Sequence, residues 1–334
     1  MTKPAGLIAI EAEMAHQNTD AIAAFHAARG GAENIAASLR RTGRLLLLGM
    51  GGSHAVGRAV EPLYRDLGID AVAVPLSEQL GQPLPIDART LIVTSQSGES
   101  AEVLRWFDQA RPSTDIFGLT MEPHSTLAGL APCLIGAGGT ETGFAATRSL
   151  MVTLALHAAV LQALGAQMQA ALDVLTRPET PDITAALAAM TRVTCIVASG
   201  RRLQGLAEAL ALGLIELSRL PCFALEGGQM RHGPMEMLGP RIGVVLFRAQ
   251  DATADLVGGM AQSVVATGAP VVVFDASGAR SVAGAVTVSI PPARDMAAIL
   301  ALLPASQQFM LDFAASRVAD VGTPLRSQKI TRSE

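Results

Sequence analysis

Short apolar runs along this chain alternate with longer stretches in which apolar residues recur every three or four positions. That is the pattern of buried strands joined by helices. Leu7, Ile8, Met14, Ile22 and Phe25 fall at mostly helical spacing and predict an amphipathic helix over residues 1–28, which Arg29-Gly30-Gly31 should break. A second helix is expected from Ala32 to Arg41, then a buried strand at Leu45–Leu48 and a helix through Leu67. Further strands are expected at Ala71–Val74, Leu91–Val93, Ile116–Leu119 and Cys133–Ile135. A helix should follow the strand Leu91–Val93, with Glu99 and Glu102 in its first turn. Ser149 to Leu164 is apolar enough to raise a membrane span, but it falls short of the ~20 residues a span needs and reads as a central buried helix.

Arg177-Pro178-Glu179-Thr180-Pro181 is a polar, proline-bearing linker, after which the rhythm restarts. Strands are expected at Val193–Ala198, Cys222–Leu225, Gly243–Phe247, Pro270–Phe274 and Val286–Ile290. Helices are expected from Leu203 to Ser218 and from Ile299 to Ala319, ahead of an extended tail. Repeated βα units over 334 residues predict an α/β protein of two domains.

Composition narrows the partners. Half of the residues are hydrophobic, and the net charge of −4 is spread along the chain with no basic cluster, so nucleic acid is not an expected partner. Cys133, Cys195 and Cys222 are far apart in apolar runs and read as buried free thiols. The six histidines have no metal-ligand spacing, so no metal is expected. No charged and apolar leader opens the chain, which predicts a cytoplasmic protein that neither spans nor binds a membrane.

Candidate chemistry begins at Ser95-Gln96-Ser97-Gly98-Glu99-Ser100, between a buried strand and a helix start. Unpaired helix N–H groups and the positive end of the helix dipole favour an anion there, and three serine hydroxyls add donors without adding charge. An ordinary capped turn has the same composition. A second strand–helix junction, Gly49-Met50-Gly51-Gly52-Ser53-His54, lets backbone approach a ligand closely. Its third glycine, Gly57, falls late for a dinucleotide fingerprint, and no acidic residue ends the next strand, so no nicotinamide cofactor is expected.

The loop from Ser95 to Ser100 resembles the signature of sugar isomerase (SIS) domains, in particular the isomerase half of glucosamine-6-phosphate synthase. The resemblance implies that Ser95, Gln96, Ser97, Gly98 and Ser100 hold the phosphate of a hexose 6-phosphate, and that Gly51, Gly52 and Ser53 line the sugar, with Gly52 in place of the family's usual threonine. His54 next door reads as a cap or a solvent-facing residue, with a contact to the site as the alternative. The segment Gly139 to Arg148 also resembles the synthases; it implies sugar contacts at Phe144 and Ala146, although Ala146 lacks the family's serine hydroxyl. Glu141, in this glycine-bracketed polar turn, is unusual unless it binds something.

Aldose–ketose interconversion needs a base to move a proton between carbons 1 and 2 and a group to open the ring. Glu216 sits near the end of an apolar helix, where few charges favour a raised carboxyl pKa; a surface glutamate at a helix end is the alternative. Gln229 to Pro234 resembles the family's histidine loop, and the sixteen residues from Glu216 to His232 match the family spacing. The resemblance implies Glu216 as the base and His232 as the ring-opening acid–base, donated across a homodimer. It also implies Lys329 of the tail at the sugar, though its register is off by about a residue and a solvated tail lysine is the alternative. Where the synthases carry a lysine three residues before the glutamate, this chain has Gly213, so no Schiff base is expected there. Thr2 follows Met1, and no glutaminase activity is expected.

The resemblance implies two tandem SIS domains, each a three-layer α/β/α sandwich with a mainly parallel, flavodoxin-like sheet. The expected division is an N-terminal helix over 1–28, a first domain over 29–176 with the loop 95–100, a second over 177–320, and a tail over 321–334 closing over the site. The implied activity is isomerisation of a hexosamine 6-phosphate with release of ammonia, giving fructose 6-phosphate. Fructosamine 6-phosphate deglycation and simple aldose–ketose isomerisation are the alternatives within the class. A non-catalytic sugar-phosphate sensor is the alternative outside it.

Overall fold

In the computed structural model, residues 3–109 and 115–331 are described. The apolar runs form two all-parallel sheets of five strands each. The first holds β1 (Arg44–Gly49), β2 (Asp70–Pro75), β3 (Thr90–Thr94), β4 (Ile116–Thr120) and β5 (Cys133–Ile135), in the order β2-β1-β3-β4-β5. The second holds β6 (Cys195–Ser199), β7 (Cys222–Ala224), β8 (Ile242–Ala249), β9 (Val271–Ala276) and β10 (Val286–Ser289). Read from β7, its order is β7-β6-β8-β9-β10, so both sheets share the flavodoxin-like 2-1-3-4-5 topology.

The chain divides into two units. One comprises residues 9–176 with the tail from Pro324; the other comprises 177–323 with the residues up to Ile8. Gly6 belongs with the latter because its backbone runs against that of Gly322, where an added Cβ would lie 2.4 Å from the Gly322 carbonyl carbon.

Within the first unit, alternating side chains of buried strands face opposite helices. Leu46, Leu48, Leu91 and Val93 pack with Val103, Trp106 and Leu127. Gly57, in the helix Gly52–Asp66, sits over Leu47 and Ala73 on the other face. In the second unit, Val197, Val244, Leu246, Val271 and Val273 pack against Val257, Met260 and Val264 of the helix Ala254–Val265. The opposite face stacks Phe247 on Phe274, which meets Phe309 edge-on from the helix Asp295–Ala315. Among the described residues this helix is long and apolar enough to cross a membrane, but 78% of its apolar window is buried inside the protein.

Three local expectations are corrected. The glycines at 30 and 31 do not break the chain: the first helix ends at Ala27 and the second runs Arg29–Thr42 through both. Gly31 is needed for close packing instead, since a Cβ there would lie 2.5 Å from Leu134 Cδ2 on β5. Glu99 precedes its helix, which starts at Ala101, and accepts from Thr126 N (2.7 Å) and Oγ1 (2.9 Å) at the start of the helix Thr126–Leu130. The last helix spans Asp295–Ala315 rather than Ile299–Ala319, with Pro304 inside it.

Candidate active site

β1 and β3 are neighbours in the first sheet, but the chain leaves them toward different faces. The crevice beyond their carboxyl ends is the topological switch point where ligands bind in open α/β sheets. Both predicted ligand loops, 50–53 and 95–100, follow these two strands.

The serine loop is anchored on every side. Ser95 N donates to Leu119 O (3.0 Å), Met121 N to Gln96 O (2.9 Å) and Leu127 N to Gly98 O (3.1 Å). Ser95 and Ser97 are buried, the Ser95 and Ser100 hydroxyls lie 3.2 Å apart, and Ser97 Oγ accepts from Glu99 N (3.2 Å). A hydroxyl that accepts a bond keeps its own proton to donate, so the loop offers donors held in place before a ligand arrives. Gly98 is required: its φ is +64°, and a Cβ would fall 2.2 Å from Ser125 Oγ. Gly98→Ala is therefore expected to cost about 1–3 kcal/mol in stability and to weaken sugar-phosphate binding, measured by thermal melting with and without ligand.

Gly51 turns the chain into the helix Gly52–Asp66 at φ 52°. Gly52 faces Leu150 and Ala146: an added Cβ would be 3.0 Å from Leu150 Cδ2 and 3.5 Å from Ala146 Cβ. Gly52 and Ala146 are thus adjacent in space and carry no hydroxyl between them. Phe144 and Ala146 are half-buried, as is Ser53. His54 is not solvent-facing as expected; it is half-buried and hydrogen-bonded to the Val74 backbone, and burial followed by the Arg58 charge lowers its pKa.

Glu141 is the residue that sequence reading singled out without a partner. Its carboxylate is fully buried. Oε1 accepts from Thr147 N (2.9 Å), Thr147 Oγ1 (3.3 Å) and Ser149 N (3.1 Å), while Oε2 accepts from Ser149 Oγ (2.7 Å) and Lys329 Nζ (2.8 Å). Lys329 is therefore not a solvated tail lysine. The tail is pinned again where Ala101 N, first residue of the helix after the serine loop, donates to Thr331 O (3.0 Å). Arg148 is structural: it is buried, bonds to Glu13 (2.5 Å), Asp20 (3.0 Å) and the carbonyls of Ala137 and Gly139, and fixes the same turn. Burial alone would raise the Glu13 carboxyl, but bonds from Thr142 and Arg148 outweigh it and hold the pKa below the ordinary value.

The other two predicted groups lie in the second unit. Glu216 is half-buried in the helix Gln204–Ser218. His232 is exposed, with its backbone N–H on Gln229 O (3.0 Å) and Gly233 at φ 110° behind it. At Gly213 an added Cβ would lie 2.1 Å from Met310 Sδ, so a side chain there requires Met310 to move. Gly213→Ala should destabilise the protein by about 1–3 kcal/mol, read as a lower melting temperature.

No family model matches the chain. Solved structures do. The C-terminal domain of glucosamine-fructose-6-phosphate aminotransferase from Francisella tularensis superposes with a TM-score of 0.82 at 17% identity, covering 95% of this chain and 98% of that one. Tagatose-6-phosphate ketose/aldose isomerase from Escherichia coli superposes at 0.79 with 21% identity, covering 98% of this chain and all of that one. The chain has the tandem SIS fold.

Its homologues are glutamine–fructose-6-phosphate aminotransferases (isomerizing), matched over their isomerase region. The enzyme from Gluconobacter oxydans is 26% identical over 311 residues, which is 84% of this chain and 50% of that protein. That from Gloeobacter violaceus is 29% identical over 229 residues, 60% of this chain and 37% of that protein. This double-SIS chain thus spans half or less of the length of these curated relatives. These homologues and the two solved structures above are enzymes or enzyme domains.

Proposed function

We propose that this double-SIS protein is a phosphosugar isomerase acting on a hexosamine 6-phosphate, releasing ammonia and giving fructose 6-phosphate. The observation that carries the reading is the serine loop: prearranged hydroxyls at the switch point of the first sheet, shaped by Gly98, suit a phosphate. In this reading Gln96 and the three serines bind the phosphate, Gly51 to Ser53 with Phe144 and Ala146 border the sugar, His232 opens the ring and Glu216 moves the proton between carbons 1 and 2. Lys329, held on Glu141, puts a cation beside the reacting oxygens, where it stabilises charge that develops in the enediol.

The place of His232 on an exposed loop of the second unit fits donation to another subunit, and the working form is proposed to be a homodimer in the cytoplasm. One structural neighbour, from Thermotoga maritima, is a glucosamine-6-phosphate deaminase; it superposes at a TM-score of 0.69 and 18% identity. With glycine at 213, the proposed reaction handles the nitrogen without a lysine at that position.

The test is a product assay on glucosamine 6-phosphate, fructosamine 6-phosphate and tagatose 6-phosphate, following ammonia, fructose 6-phosphate and any aldose 6-phosphate formed. Both products from glucosamine 6-phosphate support the reading. Turnover of only another substrate moves the assignment to deglycation or simple isomerisation. Thermal stabilisation by every sugar phosphate with no product would make the protein a sensor.

A further inference from the structure

We infer that Arg201 and Glu226 are positioning residues that hold the His232 loop in its presenting conformation; the functional part of this inference rests on reading His232 as the ring-opening group. The two lie just past the ends of the adjacent strands β6 and β7. Arg201 NH1 donates to Glu226 Oε1 (3.2 Å). The other carboxylate oxygen of Glu226 accepts from Gly228 N (2.7 Å) and Gln229 N (3.0 Å), capping the single helical turn Gly227–Met230 that leads to His232.

From there the backbone bonds run without a break. Met230 N donates to Glu226 O, Arg231 N to Gly228 O and His232 N to Gln229 O, while Gly227 N reaches back to Gly200 O beside Arg201. The guanidinium lies over the two glycines: an added Cβ at 227 would meet Arg201 Nε at 3.0 Å, and one at 228 would meet NH1 at 2.9 Å. On the far side, Arg231 NH1 donates to Ser263 Oγ (3.1 Å). Met230 is fully buried in the core, so the loop is already anchored to the fold. The Arg201 and Glu226 side chains are 25% and 34% exposed, and a pair so exposed adds little to stability. What the pair does instead is fix the backbone path between Glu226 and an exposed histidine.

A chemical consequence follows. A misplaced ring-opening group penalises only substrates that have a ring to open. Fructose 6-phosphate closes its furanose ring through the C5 hydroxyl, whereas 5-deoxyfructose 6-phosphate cannot close it. The measurement is exchange of solvent deuterium into carbon 1 of each ketose, for the wild type, Glu226→Ala and Arg201→Ala. Each variant should lose about tenfold to a hundredfold on fructose 6-phosphate and less than about twofold on the 5-deoxy compound. Glu226→Gln, which keeps the capping oxygen, should recover part of the loss.

Equal losses on both substrates, or none on either, would overturn the assignment. Amide hydrogen exchange judges the loop without any substrate: Gly228, Gln229 and His232 should exchange faster in Glu226→Ala, and unchanged rates would overturn it. If the wild type exchanges neither ketose, the isomerase reading falls, and the amide rates still decide whether this pair holds the loop.

Discussion

Replacing Glu141 by Gln is expected to lower stability by about 3 kcal/mol and to free the C-terminal tail. The carboxylate is fully buried, and both oxygens are committed to five donors, the last being the Lys329 ammonium at 2.8 Å. An amide in its place turns one acceptor into a donor that faces the Ser149 hydroxyl and a cation, and leaves that cation without its counter-charge. Breaking a buried pair from one side costs about 3–5 kcal/mol; the low end applies because Lys329 is 22% exposed. For units of this size that is roughly 6–12 °C in melting temperature. Lys329→Met should cost less, since the carboxylate keeps its other four donors. Thermal melting of both variants, with limited proteolysis of the tail, checks the ordering; a Glu141→Gln protein as stable as the wild type would contradict it.

Glu216→Gln is expected to lower turnover by about 10²–10⁴-fold with little change in melting temperature. The amide keeps the shape of the side chain and its capacity to accept one hydrogen bond, but it cannot take a proton. Glu216 is half-buried on its helix, next to exposed Ile215, so the exchange removes no core volume. Substrate binding should survive, because the serine loop and its anchors belong to the other unit. A fall in turnover with a preserved ligand-induced melting shift would separate chemistry from binding. If the variant keeps full activity, another residue is the base.

Much of this arrangement was legible in the sequence. The apolar runs Leu45–Leu48 and Leu91–Val93 became neighbouring strands because residues buried on both faces carry a strong local signal. The serine loop was readable for a similar reason: hydroxyls around one glycine between a strand and a helix are a local pattern. Contacts that depend on distant partners were not. Nothing near Gly31 announces Leu134, so Gly31 looked like part of a helix break when it packs against β5. Glu141 could be seen to need a partner, but Lys329 is 188 residues away, and only the fold brings the tail back to it. Gly213 was visible as a missing lysine; that Met310 fills the space was not.

The proposed reaction moves a proton between carbons 1 and 2 of a phosphorylated amino sugar, with Glu216 as the base. It is tested most directly by incubating the wild type and Glu216→Gln with glucosamine 6-phosphate in deuterated water and following the sugar carbons by NMR. Ammonia and fructose 6-phosphate carrying deuterium at carbon 1 are expected from the wild type, with product and exchange both at least about a hundredfold slower in the variant. A wild type that binds the sugar phosphate yet exchanges no carbon-bound proton would contradict it.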